Sequence, residues 1–182
     1  MFALSSAHSN EYLRAKYTIE EISLGDSALN FFTEVKIKQS IENYYDHLPN
    51  KEFIDFEIYS PSSFKTYDGL QISIKPNDNN YVVYAIDGIK IVENMDNCNM
   101  KINLVSEQVS RQLINAKEFI QKKKKITADS SGRSFSWGTA FLLENNNSIS
   151  VRCYDWHEDM GYVNTFRVSL RSYELNEWLA GR

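Results

Sequence analysis

The sequence predicts an α+β fold: an antiparallel β-sheet carrying one long helix, with helix-then-meander arranged twice along the chain. Three observations point there. Leu70, Ile72 and Ile74 alternate with Gln71, Ser73 and Lys75, the period-2 pattern of a strand buried on one face. Residues 81–86 have no polar side, since Val82, Tyr84 and Ile86 face one way and Tyr81, Val83 and Ala85 the other. That suits a central strand covered on both faces. Finally, Ile102, Val105, Val109, Leu113, Ala116 and Ile120 form one apolar stripe, with Glu107, Gln108, Ser110 and Arg111 opposite. Such a stripe marks a helix at about 100–121 laid on a sheet.

The elements follow in order. Residues 8–25 open polar, with Tyr17, Ile19 and Ile22 as sparse anchors. Asp26 or Ser27 is a good N-cap for a helix carrying Leu29, Phe32 and Val35. Ile37, Ile41, Tyr44, Tyr45 and Leu48 repeat the helical spacing on another face, so a break is expected near 36–40 before Pro49 closes the element. Phe53, Phe56, Ile58 and Tyr59 read as a short strand, ended by the Ser60-Pro61-Ser62-Ser63 loop. Residues 67–93 then read as a three-strand meander. Residues 76–80 supply its first turn, and Asp87-Gly88 its second, because a type I′ hairpin needs positive φ at both positions.

Residues 94–99 read as a polar connection containing Cys98, ahead of the long helix. The basic run 122–125 suits that helix's C-terminus. Residues 126–134 form a Ser/Gly-rich loop without the spacing of a phosphate cradle. Strands are expected at 135–143, 148–156 and 162–170, the first pair separated by the turn at 144–147. Ser172 caps a final helical turn or two in which Leu175, Trp178 and Leu179 face inward.

A chain of 182 residues that is 42% hydrophobic makes one domain, 1–182, with a sizeable core. Its net charge of −4 argues against a nucleic-acid partner, and basic residues do not interleave with aromatics as a stacking platform would need. No segment approaches the roughly 20 apolar residues of a membrane span, so no membrane insertion is expected. Ser5 and Ala7 are small, as a signal-peptidase site before His8 requires, yet a basic n-region and a long apolar run are missing. Residues 1–7 are thus either an ordinary chain start or the remnant of a removed signal. Cys98 and Cys153 are too far apart for a compact CxxC motif. They form either one long-range disulfide, worth about 3–4 kcal/mol and implying an oxidising compartment, or two buried free thiols.

Candidate chemistry centres on residues 153–162. On a strand reaching His157, Cys153, Asp155 and His157 share a face, the arrangement of a thiol nucleophile with a base and an orienting carboxylate. Nothing there supplies a helix N-terminus to lower the thiol pKa. A metal site of Asp155, His157, Glu158 and Asp159 lacks converging spacing, and the EF-hand pattern is missing. Neither HExxH nor GxSxG occurs. Glu52, Asp55 and Glu57 read as ordinary acidic surface. The favoured site is a binding loop of Asp155, Trp156, His157, Glu158, Asp159, Met160 and Tyr162. It combines the aromatic and Met composition of interface cores with carboxylates that steer toward a basic partner.

The stretch Ile22-Ser23-Leu24-Gly25-Asp26-Ser27 ahead of a helix resembles the helix-then-antiparallel-sheet modules of small bacterial envelope proteins, including beta-lactamase-inhibitor-like modules. The resemblance implies the layered α+β arrangement and assigns no functional residue. The expectation is therefore a non-catalytic protein, periplasmic or secreted, that binds another protein as an inhibitor or immunity-type partner, with no cofactor and no metal. The alternatives are a small hydrolase using the Cys153/Asp155/His157 face, an envelope structural protein without a discrete ligand, and a cytoplasmic location.

Overall fold

The fold is mixed α+β, built on one eight-stranded antiparallel sheet. It is seen in a computed structural model that describes residues 17–42, 44, 45, 48, 50–60, 62–113 and 115–181. Residues 1–7, read as either an ordinary chain start or a signal remnant, lie outside the described residues, as do His8, His47, Pro49 and Pro61. In chain order come helix α1 (Glu34–Gln39) and strands β1 (Ile41–Glu42), β2 (Ile54–Tyr59), β3 (Gly69–Ile74) and β4 (Ala85–Ile91). The long helix α2 (Met95–Gln112) follows, then β5 (Lys117–Lys125), β6 (Phe135–Leu142), β7 (Ser148–Asp155), β8 (Thr165–Arg171) and helix α3 (Tyr173–Leu179). Strand order is β1-β2-β3-β4-β8-β7-β6-β5, so two four-strand meanders join where β4 pairs antiparallel with β8. Each meander is preceded by a helix, the helix-then-meander order expected from the sequence.

Alternation divides the sheet into two unlike faces. Phe56, Leu70, Ile86, Val168 and Val151 are among the side chains on the face that forms the core with Ile102 of α2 and with Ile19, Ile22 and Ile37. Val105, Val109, Leu113 and Ala116 pack against this core, as their stripe predicts. The sulfur atoms of Cys98 on α2 and Cys153 on β7 are 1.90 Å apart, at disulfide distance, with Cα atoms 6.1 Å apart. A second small cluster gathers Phe53, Ala85 and Leu175 under Trp178 and Leu179. There Ser172 caps α3 by accepting the Leu175 N–H at 3.2 Å, as expected. Among the described residues no helix is long and apolar enough to cross a membrane.

Several local expectations change. Asp87-Gly88 is not a turn but the interior of β4, with Asp87 opposite Gln71 and Gly88 opposite Leu70. Gly88 serves close approach: a Cβ there would stand 2.6 Å from the Tyr67 ring. Residues 81–83 leave the sheet and bond to residues 26–28, Val83 N–H to Asp26 O and Ala28 N–H to Tyr81 O, so β4 begins only at Ala85.

Helix α2 begins and ends earlier than the 100–121 stripe suggests. Asn94 accepts the Asp96 N–H at 2.7 Å and caps it, which turns the expected connection at 94–99 into its first turn. Leu113 is extended and Asn115 takes a positive φ of 65°, a left-handed position that ends helical winding. The chain then returns as edge strand β5, leaving Ile120 80% exposed. The basic run 122–125 consequently lies on this edge strand, where lysines deter pairing with another chain. The first expected helix reduces to a 3₁₀ turn, Ala28–Asn30, capped by Ser27, then α1 capped by Thr33. It breaks at Ser40, within the expected interval, because Ile41 pairs with Phe56 at the sheet margin.

Candidate functional site

The sheet face opposite the core carries the polar members of each alternation. In one row Glu57, Gln71, Asp87, Ser169 and Ser150 stand side by side across β2, β3, β4, β8 and β7. Beside it, Arg167 faces Arg152. Asp55 accepts from Ser73 Oγ at 2.6 Å and from Gln71 Nε2 at 2.5 Å. The same Gln71 accepts from Arg167 Nη1 at 2.5 Å. Arg167 and Arg171 both reach Asp87, at 3.8 and 3.5 Å. Asp55 is 0% exposed, so the reading of residues 52–57 as ordinary acidic surface fails there. Burial pushes its carboxyl above the usual range, against the hydrogen bonds of Ser73 and Gln71 that pull it down.

A cavity of about 230 Å³ opens on this face. Tyr44, Tyr59, Tyr154, Trp156 and Tyr162 contribute its aromatic walls, with Glu57 and Arg167 among them. Arg167 stacks over the Tyr154 ring at 5.2 Å. Glu57 Oε1 is buried without a hydrogen-bond partner among the described residues. Burial raises the Glu57 carboxyl, while the Tyr44 hydroxyl and the Arg167 charge oppose that shift. The same burial, with the Glu57 charge beside it, pushes the Tyr59 phenol up to about 12.

Trp156 and Tyr162 bring the expected binding loop to this cavity. Their rings lie 4.8 Å apart, and Trp156 stacks beside Tyr154 at 6.3 Å. The loop is anchored at several points. Trp156 N–H donates to Asn164 Oδ1 at 2.7 Å, and His157 N–H donates to Ser134 Oγ at 3.0 Å. Glu158–Met160 form a 3₁₀ turn that Gly161 ends with a left-handed φ of 68°. Arg133 ion-pairs with Asp159 and places Nη1 2.8 Å from His157 Nε2. His157 Nδ1 meets the Asp159 backbone N–H at 3.2 Å, the cap of the 3₁₀ turn, and lies 3.5 Å from the Asp159 carboxylate.

The other expected site residues divide. Asp155 ends β7 and pairs with Lys123 at 3.4 Å. Glu158 is exposed and Met160 half-buried, while His157 and Asp159 turn to the 126–134 loop. Tyr162 and Val163 stand 51% and 54% exposed at the cavity mouth. Cys153 is buried and bonded to Cys98, so it presents no thiol, and β7 ends before His157. The Cys153/Asp155/His157 face is therefore not assembled as a nucleophilic site. Among the described residues no three His, Cys, Asp or Glu side chains gather as a metal-holding group.

Sequence reasoning missed Tyr44, Glu57, Tyr59, Gln71, Arg152, Arg167 and Arg171. A signal was present, since Arg167, Ser169 and Arg171 alternate with Phe166, Val168 and Leu170. Alternation shows which residues share a face of one strand, but the inter-strand register decides which of them meet. No protein-family model, curated protein or solved structure matches the chain.

Proposed function

We propose that this chain is a non-catalytic binding protein whose target is another protein, engaged through the aromatic rim of the 230 Å³ cavity. The observation that carries this reading is the unpartnered Glu57 Oε1 inside that cavity. A buried acceptor without a donor costs free energy that an entering donor recovers. Aromatic walls around a carboxylate favour a Lys or Arg side chain, by cation–π attraction and an ion pair together. Tyr162 and Val163 at the mouth supply apolar contact area around that anchor. The anchored loop enters binding already ordered, which lowers the entropy cost of association. An inhibitor or immunity-type protein uses such a preformed site. Export to the periplasm or beyond accords with the Cys98–Cys153 pair, because disulfides persist in oxidising compartments.

The test is affinity capture with three baits: wild type, Trp156→Ala with Tyr162→Ala, and Glu57→Gln. Asp159 is left intact because its pairing with Arg133 holds the loop. A stoichiometric protein partner retained by wild type and lost or weakened about tenfold in both variants is expected. A partner held equally by folded variants, or no partner on any bait, overturns the reading.

A further inference from the structure

We infer that a second site on the same sheet face binds a monovalent organic carboxylate through Arg152, independently of the protein-binding rim. The place is a groove of about 530 Å³ where the ends of β5 to β8 meet α3. Arg152 and Arg171 line it together with Ser150 and the acidic Glu177, and Phe119 and Leu142 add apolar surface.

Arg152 is unlike its neighbours. Arg111, Arg133, Arg167 and Arg171 each face a carboxylate. Among the described residues none pairs with Arg152, and its Nε is buried without a hydrogen-bond partner. A guanidinium cannot shed its proton to escape such a site, so the uncompensated charge persists. Arg152 stands directly across from Arg167, whose charge is met by Asp87 and Glu57, while Arg171 is met by Asp87 and Asp55. The fold also makes room for this side chain. Gly138 is opposite Arg152 on β6, and a Cβ there would come within 3.0 Å of Arg152 Cγ and 2.0 Å of Val151 O.

The chemistry of the occupant follows from charge and shape. One unpaired guanidinium matches one negative charge, and its planar fork fits a carboxylate with two parallel hydrogen bonds. A phosphate dianion would call for a second unpaired cation, whereas Arg171 is already engaged by Asp87. Phe119 and Leu142 favour an acid with an aliphatic or aromatic body. A free organic acid and the C-terminal carboxylate of a polypeptide share this chemistry.

The experiment is calorimetric titration of the full chain with hexanoate and methyl phosphate, and with one apolar tetrapeptide carrying either a free or an amidated C-terminus. Saturable binding of hexanoate or the free-terminus peptide is expected, weakened about tenfold or more by Arg152→Gln and left in place by Trp156→Ala with Tyr162→Ala. Tighter binding of the free-terminus peptide than of hexanoate, abolished by amidation, assigns the source as a polypeptide terminus, and the reverse order assigns a free acid. Nitrogen-15 spectra of arginine Nε in the wild type provide a readout independent of whether the variant folds. Hexanoate must move the Arg152 signal, saturably and more than that of Arg133. No saturable carboxylate binding, equal affinity in a folded Arg152→Gln variant, a stationary Arg152 signal, or tighter binding of methyl phosphate overturns the inference. Because the rim variant is run in parallel, failure of the carboxylate site leaves the rim reading to its own test.

Discussion

Asp129 accepts both the hydroxyl and the backbone N–H of Ser134, at 2.7 and 2.8 Å, and that hydroxyl oxygen in turn accepts the His157 N–H at 3.0 Å. One carboxylate thus organises the 126–134 loop and, through Ser134, the loop that carries Trp156. Asp129 Oδ2 also accepts the Arg133 N–H at 3.1 Å, and Oδ1 the Ser131 N–H at 2.8 Å.

An amide has one acceptor oxygen and cannot replace these four bonds, so Asp129→Asn should lower the unfolding midpoint and shift Trp156 fluorescence. The pH dependence has a definite sign. Hydrogen bonds from Ser131, then Ser134, hold the Asp129 carboxyl well below the usual range. Its stabilisation is therefore full above the unfolded-state pKa of about 3.9 and is lost as pH falls through the lower folded-state value. In urea unfolding, the gap between wild type and Asp129→Asn should stay constant from neutral pH to about pH 5 and close below about pH 4. A gap that widens in acid would contradict this.

Cys98 and Cys153 close a loop of 55 positions and pin the start of α2 to β7. Chain entropy assigns such a link about 4 kcal/mol. Reduced wild type, or Cys98→Ser with Cys153→Ser, should lose that much or more in urea unfolding, since both positions are fully buried. Equal stability of oxidised and reduced protein, with the thiols titrated to confirm reduction, would show that the link is not formed.

Asp55 titrates with the opposite sense to Asp129. Burial raises its carboxyl, so the folded state holds the proton more tightly than the unfolded chain does. Its contribution is most favourable below about pH 3.9 and declines as pH rises from there through the raised folded-state value. Asp55→Asn removes that titration. The stability of the variant relative to wild type should climb between about pH 4 and neutrality, whatever constant offset the altered bonds to Ser73 and Gln71 introduce. A flat or falling difference would show that the carboxyl is not raised.

The site was only half legible in the sequence. Trp156 and Tyr162 stood out by composition and do form the cavity rim. Glu57, Arg152 and Arg167 did not stand out, because a charged residue alternating with apolar ones looks like the solvated side of a strand. Their sheltering comes from other segments of the chain, such as Trp156, Tyr162 and Arg167, which line one cavity with Glu57. The misread turn at Asp87-Gly88 has a related cause: a dipeptide suited to positive φ is equally the glycine that lets the Tyr67 ring lie flat on a strand.

By itself, the sequence determined the elements whose signals are local. The alternation at 54–59, 69–74 and 148–155, the Ser172 cap and the apolar stripe of α2 follow from side-chain periodicity and nearby hydrogen-bond partners. Tertiary structure alone decided what depends on pairing between distant segments. Residues 117–125 become a strand because β6 offers an open edge, and Cys98 meets Cys153 because α2 crosses the sheet above β7. The polar face gathers its arginines and carboxylates because register, which no single strand encodes, sets β2, β3, β4, β8 and β7 side by side.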